Sequence, residues 1–329
     1  MILTPASRWL ISNVVGCLMV SVVPPAIAPT AAVSAPTQSP SPASVTIAAV
    51  PTAIRPAIAV GQPLYGLQQR LQSLQSAQFV GLNPGIAVLD LQTGNYASIN
   101  GDQVYPTASI IKVPILIALF QDIDAGKIQP QERLTMTRDL MVGGSGDLQY
   151  QRPDRQFSVL ETATKMITIS DNTATNMIIR RMGGMQALNQ RFRQWGLRQT
   201  QIRDVLPDRW GKNVTTPTEL VQLLAMLDNQ QLLSASSRAQ VLAIMSQVRN
   251  RTLLPAGLGE GAAIAHKTGD IGFLQGDMGI VRTPNGQRYI VAMLVKRDRA
   301  EASSRAFIQQ ASRLVYAAFT QPTTTAQAR

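Results

Sequence analysis

In the stretch YPTASIIKVPIL, residues 105–116, Ser109 stands three residues before Lys112 at the mouth of an apolar run. A lysine between Ile111 and Val113 is out of place as packing, because lysine is among the residues least often fully buried without a partner. It either snorkels past its neighbours or has a chemical task. Breaking an acyl bond by covalent catalysis takes a nucleophile, a base for its proton, an acid for the leaving group and donors for the developing oxyanion. Positions i and i+3 share a helix face, so the Ser109 hydroxyl and the Lys112 amine can meet. Lysine serves as a base when its pKa falls, through burial, a nearby positive charge or the positive end of a helix. The first turn of an apolar helix offers Lys112 burial and the helix end. A Ser-His-Asp triad would have to use His266, the one histidine in the chain.

Two further tripeptides complete such a set. ITISDNTATNMII holds Ser170-Asp171-Asn172 between two helical segments, and IAHKTGDIGF holds Lys267-Thr268-Gly269 on a strand. Separately, the first is a good helix cap and the second an ordinary strand end. In this order, each on its own kind of element, they form a far more specific signal. On an alternating strand His266 faces away from Lys267, which makes it a packed or hydrogen-bonded residue. Trp195, Trp210 and the methionines of KMITI and NMIIRRM read as core or loop packing.

The elements that must position these groups follow from periodicity. Leucines 64, 67, 71 and 74 keep helical spacing in PLYGLQQRLQSLQSA, and PGIAVLDLQTGNYASIN reads as two short strands joined by a turn. A helix runs from Ser109 to about Asp124, and residues 130–250 are mainly helical. IAHKTG, GDMGIVR and RYIVAMLVK are strand-like, with the hairpin signal Asn285-Gly286 between the last two. AEASSRAFIQQASRLVYAAF closes the chain as an amphipathic helix. Strands at both ends of the domain pair most simply into one sheet. The expectation is an α+β domain over 62–320: an antiparallel five-stranded sheet flanked by N- and C-terminal helices, with a mostly helical subdomain (about 125–255) inserted between strands 2 and 3.

The 329 residues carry 30 Lys and Arg against 19 Asp and Glu, a net +11, to which the first 61 residues add only Arg8 and Arg55. The basic residues are scattered at helical spacing, as in RRMGGMQALNQRFRQWGLRQ, which is a solvated face rather than a nucleic-acid stripe. Arg8 followed by WLISNVVGCLMVSVV and small residues has the shape of a signal peptide over 1–28, too short for a membrane span. Export to the periplasm or the outside is therefore expected, with no membrane span after processing. Lipid tethering at Cys17 is the lesser alternative, because the apolar run continues beyond it. Cys17 is the single cysteine, so the core must hold the fold without disulfides. Residues 29–61, rich in Pro, Ala, Ser and Thr, read as a flexible linker, and 321–329 as a flexible tail.

With these three motifs the sequence resembles the serine β-lactamase and penicillin-binding protein superfamily, and within it the class A β-lactamases, over about residues 62–320. VGGSG before the second motif, Asn176 continuing it and Thr215 to Pro217 support the likeness. The resemblance implies that Ser109 is acylated, with Lys112 as its base or proton relay. Ser170, helped by Lys267, would pass a proton to the leaving nitrogen. Asn172 would bind the substrate's side-chain amide, and Lys267 and Thr268 its carboxylate. Gly269 would let the backbone approach, and the N–H groups of Ser109 and Asp270 would form the oxyanion hole. The resemblance calls for no metal or organic cofactor, and for a monomer. Its substrate would be a β-lactam or a D-Ala-D-Ala-type peptide, with peptidoglycan as a further partner.

Three departures stand out. Class A enzymes activate the deacylating water with a glutamate in an omega-shaped loop; LRQTQIRDVLPDRWGKNVTTP has none. Its carboxylates are Asp204 and Asp208, the candidate substitutes, with Asp208 favoured; Asn213 could orient a water, and Glu219 falls in the first turn of the next helix. Gly276 stands where a carboxylate-clamping arginine is common, leaving Arg282 as a weak substitute. Asp270 puts a carboxylate beside the oxyanion hole, unfavourable unless it points away. Slow deacylation is the expectation. A D-alanyl-D-alanine carboxypeptidase, or related peptidase or esterase, is the alternative within the same chemistry, and a catalytically idle envelope binding protein the alternative outside it.

Overall fold

The structure, a computed structural model, describes residues 61–298 and 302–321. The expected signal peptide with Cys17, the linker to residue 60 and the tail from residue 322 lie outside the described residues.

Helix α1, Tyr65–Gln78, buries Leu67, Leu71 and Leu74, the periodic leucines. Strands β1 (Asn83–Asp90) and β2 (Tyr96–Ile99) follow, then the two-residue β3 (Tyr105–Pro106) and a 3-10 turn, Ala108–Ile111, that runs into α2 (Lys112–Asp124). The helical region holds β4 (Arg133–Thr135), β5 (Gln156–Ser158), α3 (Val159–Thr168), α4 (Asn172–Arg181) and α5 (Gly184–Gln194). After β6 (Val214–Thr215) come α6 (Pro217–Asp228) and α7 (Ala235–Ser246). The chain then returns to the sheet in β7 (Ala263–Ile271), β8 (Leu274–Arg282) and β9 (Arg288–Lys296), and ends in α8 (Ala302–Thr320).

The fold is the expected α+β arrangement, with one antiparallel sheet in the order β2-β1-β9-β8-β7. The first and last parts of the domain meet where β1 lies beside β9, from Asn83 opposite Lys296 to Asp90 opposite Tyr289. On one face α1 and α8 pack through Phe79 edge-on to Phe307 and Tyr289 stacked on Phe319. On the other face lies the larger core, built around α2. Residues Val113 to Phe120 of that helix are all buried. A helix apolar on every side is stable only inside a protein. Pro114 is tolerated because it falls in the first turn, where no helical acceptor is waiting for its missing N–H.

Two short ladders, β3 with β6 and β4 with β5, are too brief to leave a pattern in the sequence. The first ties the entry to the 3-10 turn to the end of the loop 197–213. Trp195 is buried on Phe192, as expected, but Trp210 is largely exposed, at the tip of that loop.

Glu219 does more than sit near a helix end. Thr216 caps α6 by accepting from the Glu219 N–H, so Thr216-x-x-Glu219 has capping-box spacing. The carboxylate, however, reaches the loop: Oε1 accepts from the N–H groups of Arg198 and Gln199 (2.7 and 2.8 Å), and Oε2 from the N–H and hydroxyl of Thr200 (2.7 and 2.6 Å). Of these donors the two on Thr200 are buried, and removing their acceptor costs their desolvation. Glu219→Ala should lower the unfolding free energy by about 3 kcal/mol, read from the denaturant midpoint at unchanged slope; a loss under about 0.5 kcal/mol would show that water replaces the carboxylate.

Candidate active site

Ser109 is half-buried in the 3-10 turn that precedes α2, preceded by Ala108 in the left-handed region at φ 45°. Strand β7 crosses directly beside this turn. A Cβ on Gly269 would lie 2.8 Å from the Thr107 carbonyl oxygen and 3.1 Å from the Ala108 Cβ, so only glycine permits the approach. The other side of the turn is held by the loop, where Thr107 N–H donates to the Asn213 carbonyl at 2.8 Å.

Lys112 opens α2 and is fully buried. Its Nζ donates to the Ser170 carbonyl (2.6 Å), to Asn172 Oδ1 (2.9 Å) and to Ser170 Oγ (3.1 Å). Lys267 is equally buried on β7, its Nζ 3.1 Å from the same Ser170 Oγ and 2.7 Å from the Thr268 carbonyl. Burial holds the Lys112 amine well below the usual lysine range, the charge of Lys267 lowers it further, and Asp171 opposes both. Burial likewise pulls Lys267 down to about 8, against the attraction of Asp277.

Ser170 reaches this position through strained backbone, with φ 58°. Asp171 fixes it: Oδ1 accepts from Ala174 N–H at 2.8 Å, capping α4, and Oδ2 accepts from Leu148 N–H at 2.8 Å. Gly146 passes so close that a Cβ would lie 2.1 Å from that Oδ2. Asn172 Nδ2 donates to the Gly143 carbonyl at 3.0 Å, so the second motif and the loop before it form one hydrogen-bonded unit.

These residues surround a cavity of about 450 Å³ lined by Ser109, Ser170, Lys267, Thr268 and Asp270. A smaller one of about 190 Å³ shares Ser109 and extends to Asn172, Leu206, Pro207 and Asp208. The structure thus brings together the residues of all three motifs. The Asp270 carboxylate is paired, meeting Arg297 Nη2 at 2.5 Å and Gln275 Nε2 at 2.7 Å. His266 faces away from Lys267, its Nδ1 3.0 and 3.1 Å from the two Asp277 oxygens.

The two loop carboxylates are engaged elsewhere. Asp208 Oδ1 accepts from Lys212 N–H at 2.9 Å and Oδ2 from Asn213 N–H at 2.7 Å. Asp204 pairs with Lys212 Nζ at 2.9 Å on a partly exposed side chain. Asn213 Oδ1 accepts from Arg203 and Asp204 N–H, so it serves the loop itself. Beside Asp208, the smaller cavity is also lined by Leu206, joined to Pro207 by a cis peptide. Asn176 clamps its backbone, accepting from Leu206 N–H at 3.0 Å and donating to its carbonyl at 2.7 Å. Sequence reasoning missed Leu206 because an apolar residue in a loop signals nothing until its neighbours are known.

Comparison with known proteins agrees with this geometry. β-Lactamase CARB-4 of Pseudomonas aeruginosa is 30% identical over 197 residues, 57% of this chain and 68% of that one. The solved structure of PBP-A is 50% identical with a TM-score of 0.78, covering 80% of this chain and 98% of that one. A leucine-to-glutamate mutant of PBP-A, solved as an acyl-enzyme complex with penicillin G, is also 50% identical, with a TM-score of 0.77 over 79% and 98% of the two chains. Residues 66–319 match the model of the beta-lactamase enzyme family. The chain belongs to that family, and by family it is a serine hydrolase of the β-lactamase type.

Proposed function

We propose that the protein is an exported enzyme that opens β-lactams by acylating Ser109, and that it releases the acyl group slowly. The observation that carries this reading is the meeting of Lys112 and Lys267 on the Ser170 hydroxyl, each at 3.1 Å, in the cavity lined by Ser109. Among the described residues no helix is long and apolar enough to cross a membrane.

In this reading neutral Lys112 takes the Ser109 proton as the hydroxyl attacks the β-lactam carbonyl. The N–H groups of Ser109 and Asp270 receive the oxyanion, and the Arg297 contact keeps the Asp270 carboxylate from opposing that charge. Ser170, hydrogen-bonded to both amines, hands a proton to the leaving nitrogen as the amide bond breaks. Asn172 binds the substrate's side-chain amide, and Lys267 and Thr268 bind its carboxylate. Deacylation then needs a base for water, and this is where the site is poor. Both oxygens of Asp208 hold backbone N–H groups and Asp204 holds Lys212, so neither is the base. The likeness to a penicillin-binding protein at 50% identity favours, as a second reading, a natural substrate among D-Ala-D-Ala-type cell-wall peptides. Steady release of D-alanine by the purified protein would establish it.

Mass spectrometry after a pulse of penicillin G should find a long-lived adduct on Ser109, absent in Ser109→Ala. Asp204→Asn and Asp208→Asn should leave its decay unchanged, whereas Leu206→Glu should speed decay at least about tenfold, by placing a carboxylate in the cavity beside the ester. No adduct on folded wild-type protein would overturn the proposal; slower decay in either aspartate variant would return that residue to the role of base.

The pH dependence has a definite sign. Acylation needs Lys112 neutral, so its rate constant rises with pH through the depressed Lys112 value. It needs Lys267 charged to hold the carboxylate, so the rate falls as Lys267 loses its proton near about 8. The acylation rate constant plotted against pH should therefore be bell-shaped with its falling limb around pH 8. A profile still rising at pH 9.5 would remove Lys267 from carboxylate binding.

A further inference from the structure

The two cavities that share Ser109 differ in the charges on their walls. The larger leads to Lys267 and Thr268. The smaller, of about 190 Å³, extends to Asn172, Leu206, Asp208 and Arg209. Asp208, Arg209 and Asp270 are the charged residues that border it, and both carboxylates are already engaged. Asp270 meets Arg297 and Gln275, and each Asp208 oxygen accepts a backbone N–H. Arg209 differs. Its side chain is exposed and, among the described residues, carries no hydrogen bond or ion pair.

The backbone around Arg209 is nevertheless fixed. Its N–H donates to the Pro207 carbonyl at 3.1 Å, and Asp208 closes the turn that follows by accepting from the N–H groups of Lys212 and Asn213 (2.9 and 2.7 Å). The residue is held at the cavity while its guanidinium stays uncommitted. The other cations of this loop are placed differently. Lys212 Nζ pairs with Asp204 at 2.9 Å and Arg203 Nε donates to Gln201 Oε1 at 3.1 Å, and neither residue lines the cavity. A guanidinium offers a carboxylate two parallel N–H groups and keeps its charge at any working pH.

We infer that Arg209 binds a carboxylate carried on the acyl side chain of the substrate, beyond its amide, so that the site prefers acyl donors with an anionic side chain. This subsite rests on the acyl-enzyme reading above. In that reading the acyl carbon is on Ser109 and the side-chain amide on Asn172, so the rest of the side chain enters the smaller cavity, away from the ring carboxylate at Lys267 and Thr268. The same holds for a peptide donor, whose side chain leaves the acyl carbon on the same side. Arg209 is then a specificity residue that takes no part in the proton transfers at Ser109 and Ser170.

The test acylates the full chain with two penicillins built on 6-aminopenicillanic acid. One carries a glutaryl side chain ending in a free carboxylate, and the other is its side-chain methyl ester; both keep the ring carboxylate. Wild type should react faster with the free acid. Arg209→Ala should lower the second-order acylation constant for the free acid about tenfold while changing that for the ester less than about twofold, as expected for one exposed charge-assisted contact. Arg209→Lys should recover part of the loss. Arg203→Ala removes an equal charge from the same loop outside the cavity, and should match wild type with both compounds. The ester rate also reports whether the variant site is intact. An equal loss with both compounds, no loss with the free acid, or a matching loss in Arg203→Ala overturns the assignment of Arg209 alone. Failure of wild type to form a Ser109 adduct with penicillin G overturns the acyl-enzyme reading and this subsite with it.

Discussion

Two ammonium groups cannot comfortably share one hydroxyl inside a protein, and the site is organised around that conflict. The Lys112 and Lys267 amines each lie 3.1 Å from Ser170 Oγ, so they stand within about 6 Å of one another. At an effective dielectric constant near 20, two full charges at that separation repel by about 3 kcal/mol. Burial of both amines adds to the cost of charging them. One must give up its proton, and the surroundings select which. Each amine is offset by one carboxylate, Lys112 by Asp171 and Lys267 by Asp277, but Lys112 is also lowered by the charge of Lys267 and stands at the positive end of an apolar helix. The asymmetry favours a neutral amine on Lys112 and a charged one on Lys267.

Maintaining that arrangement requires elements far apart in the chain to approach closely, which explains where glycine and strained backbone occur. The turn bearing Ser109 touches β7 at Gly269, and the loop bearing Ser170 wraps Asp171 against Gly146. The positive φ values of Ala108 and Ser170 flank the same cavity. Strain at such positions persists when the surroundings over-determine it. Here the surroundings are the α2 core beneath, the β3–β6 ladder on one side and the Asp171 hydrogen bonds on the other.

What could be read from the sequence was whatever depends on short spacing. The leucines of α1, the Asn285-Gly286 turn and the Ser109–Lys112 interval are local, and the periods of helix and strand expose them. The expected sheet followed because the strands fall into two separated groups that need each other. Long-range polar pairings left no comparable trace. Nothing within a few residues of Asp270 tells that Arg297 pairs with it, and nothing around Glu219 tells that it collects donors from residues 198–200. Trp210 was misread for a related reason: an aromatic side chain suggests packing, but a loop tip held by its backbone leaves the side chain outside.

The loop 197–213 is held together largely by its own polar side chains and those of its neighbours. Its shape is held by Glu219, Asn213, Asp208 and Asn176, each spending its side-chain oxygens on backbone N–H groups. Each oxygen of Asp208 accepts one backbone N–H, which orients the carboxylate toward the loop's own backbone. Leu206, which also lines the smaller cavity, has no side-chain acceptor to offer. In this chain the side-chain oxygens of Asn213 and Asp208 go to loop order. Lys112, by contrast, comes from the helix that follows Ser109 and is held by Ser170 and Asn172 rather than by the loop. In the reading proposed above, acylation and release would therefore draw on different elements of the fold.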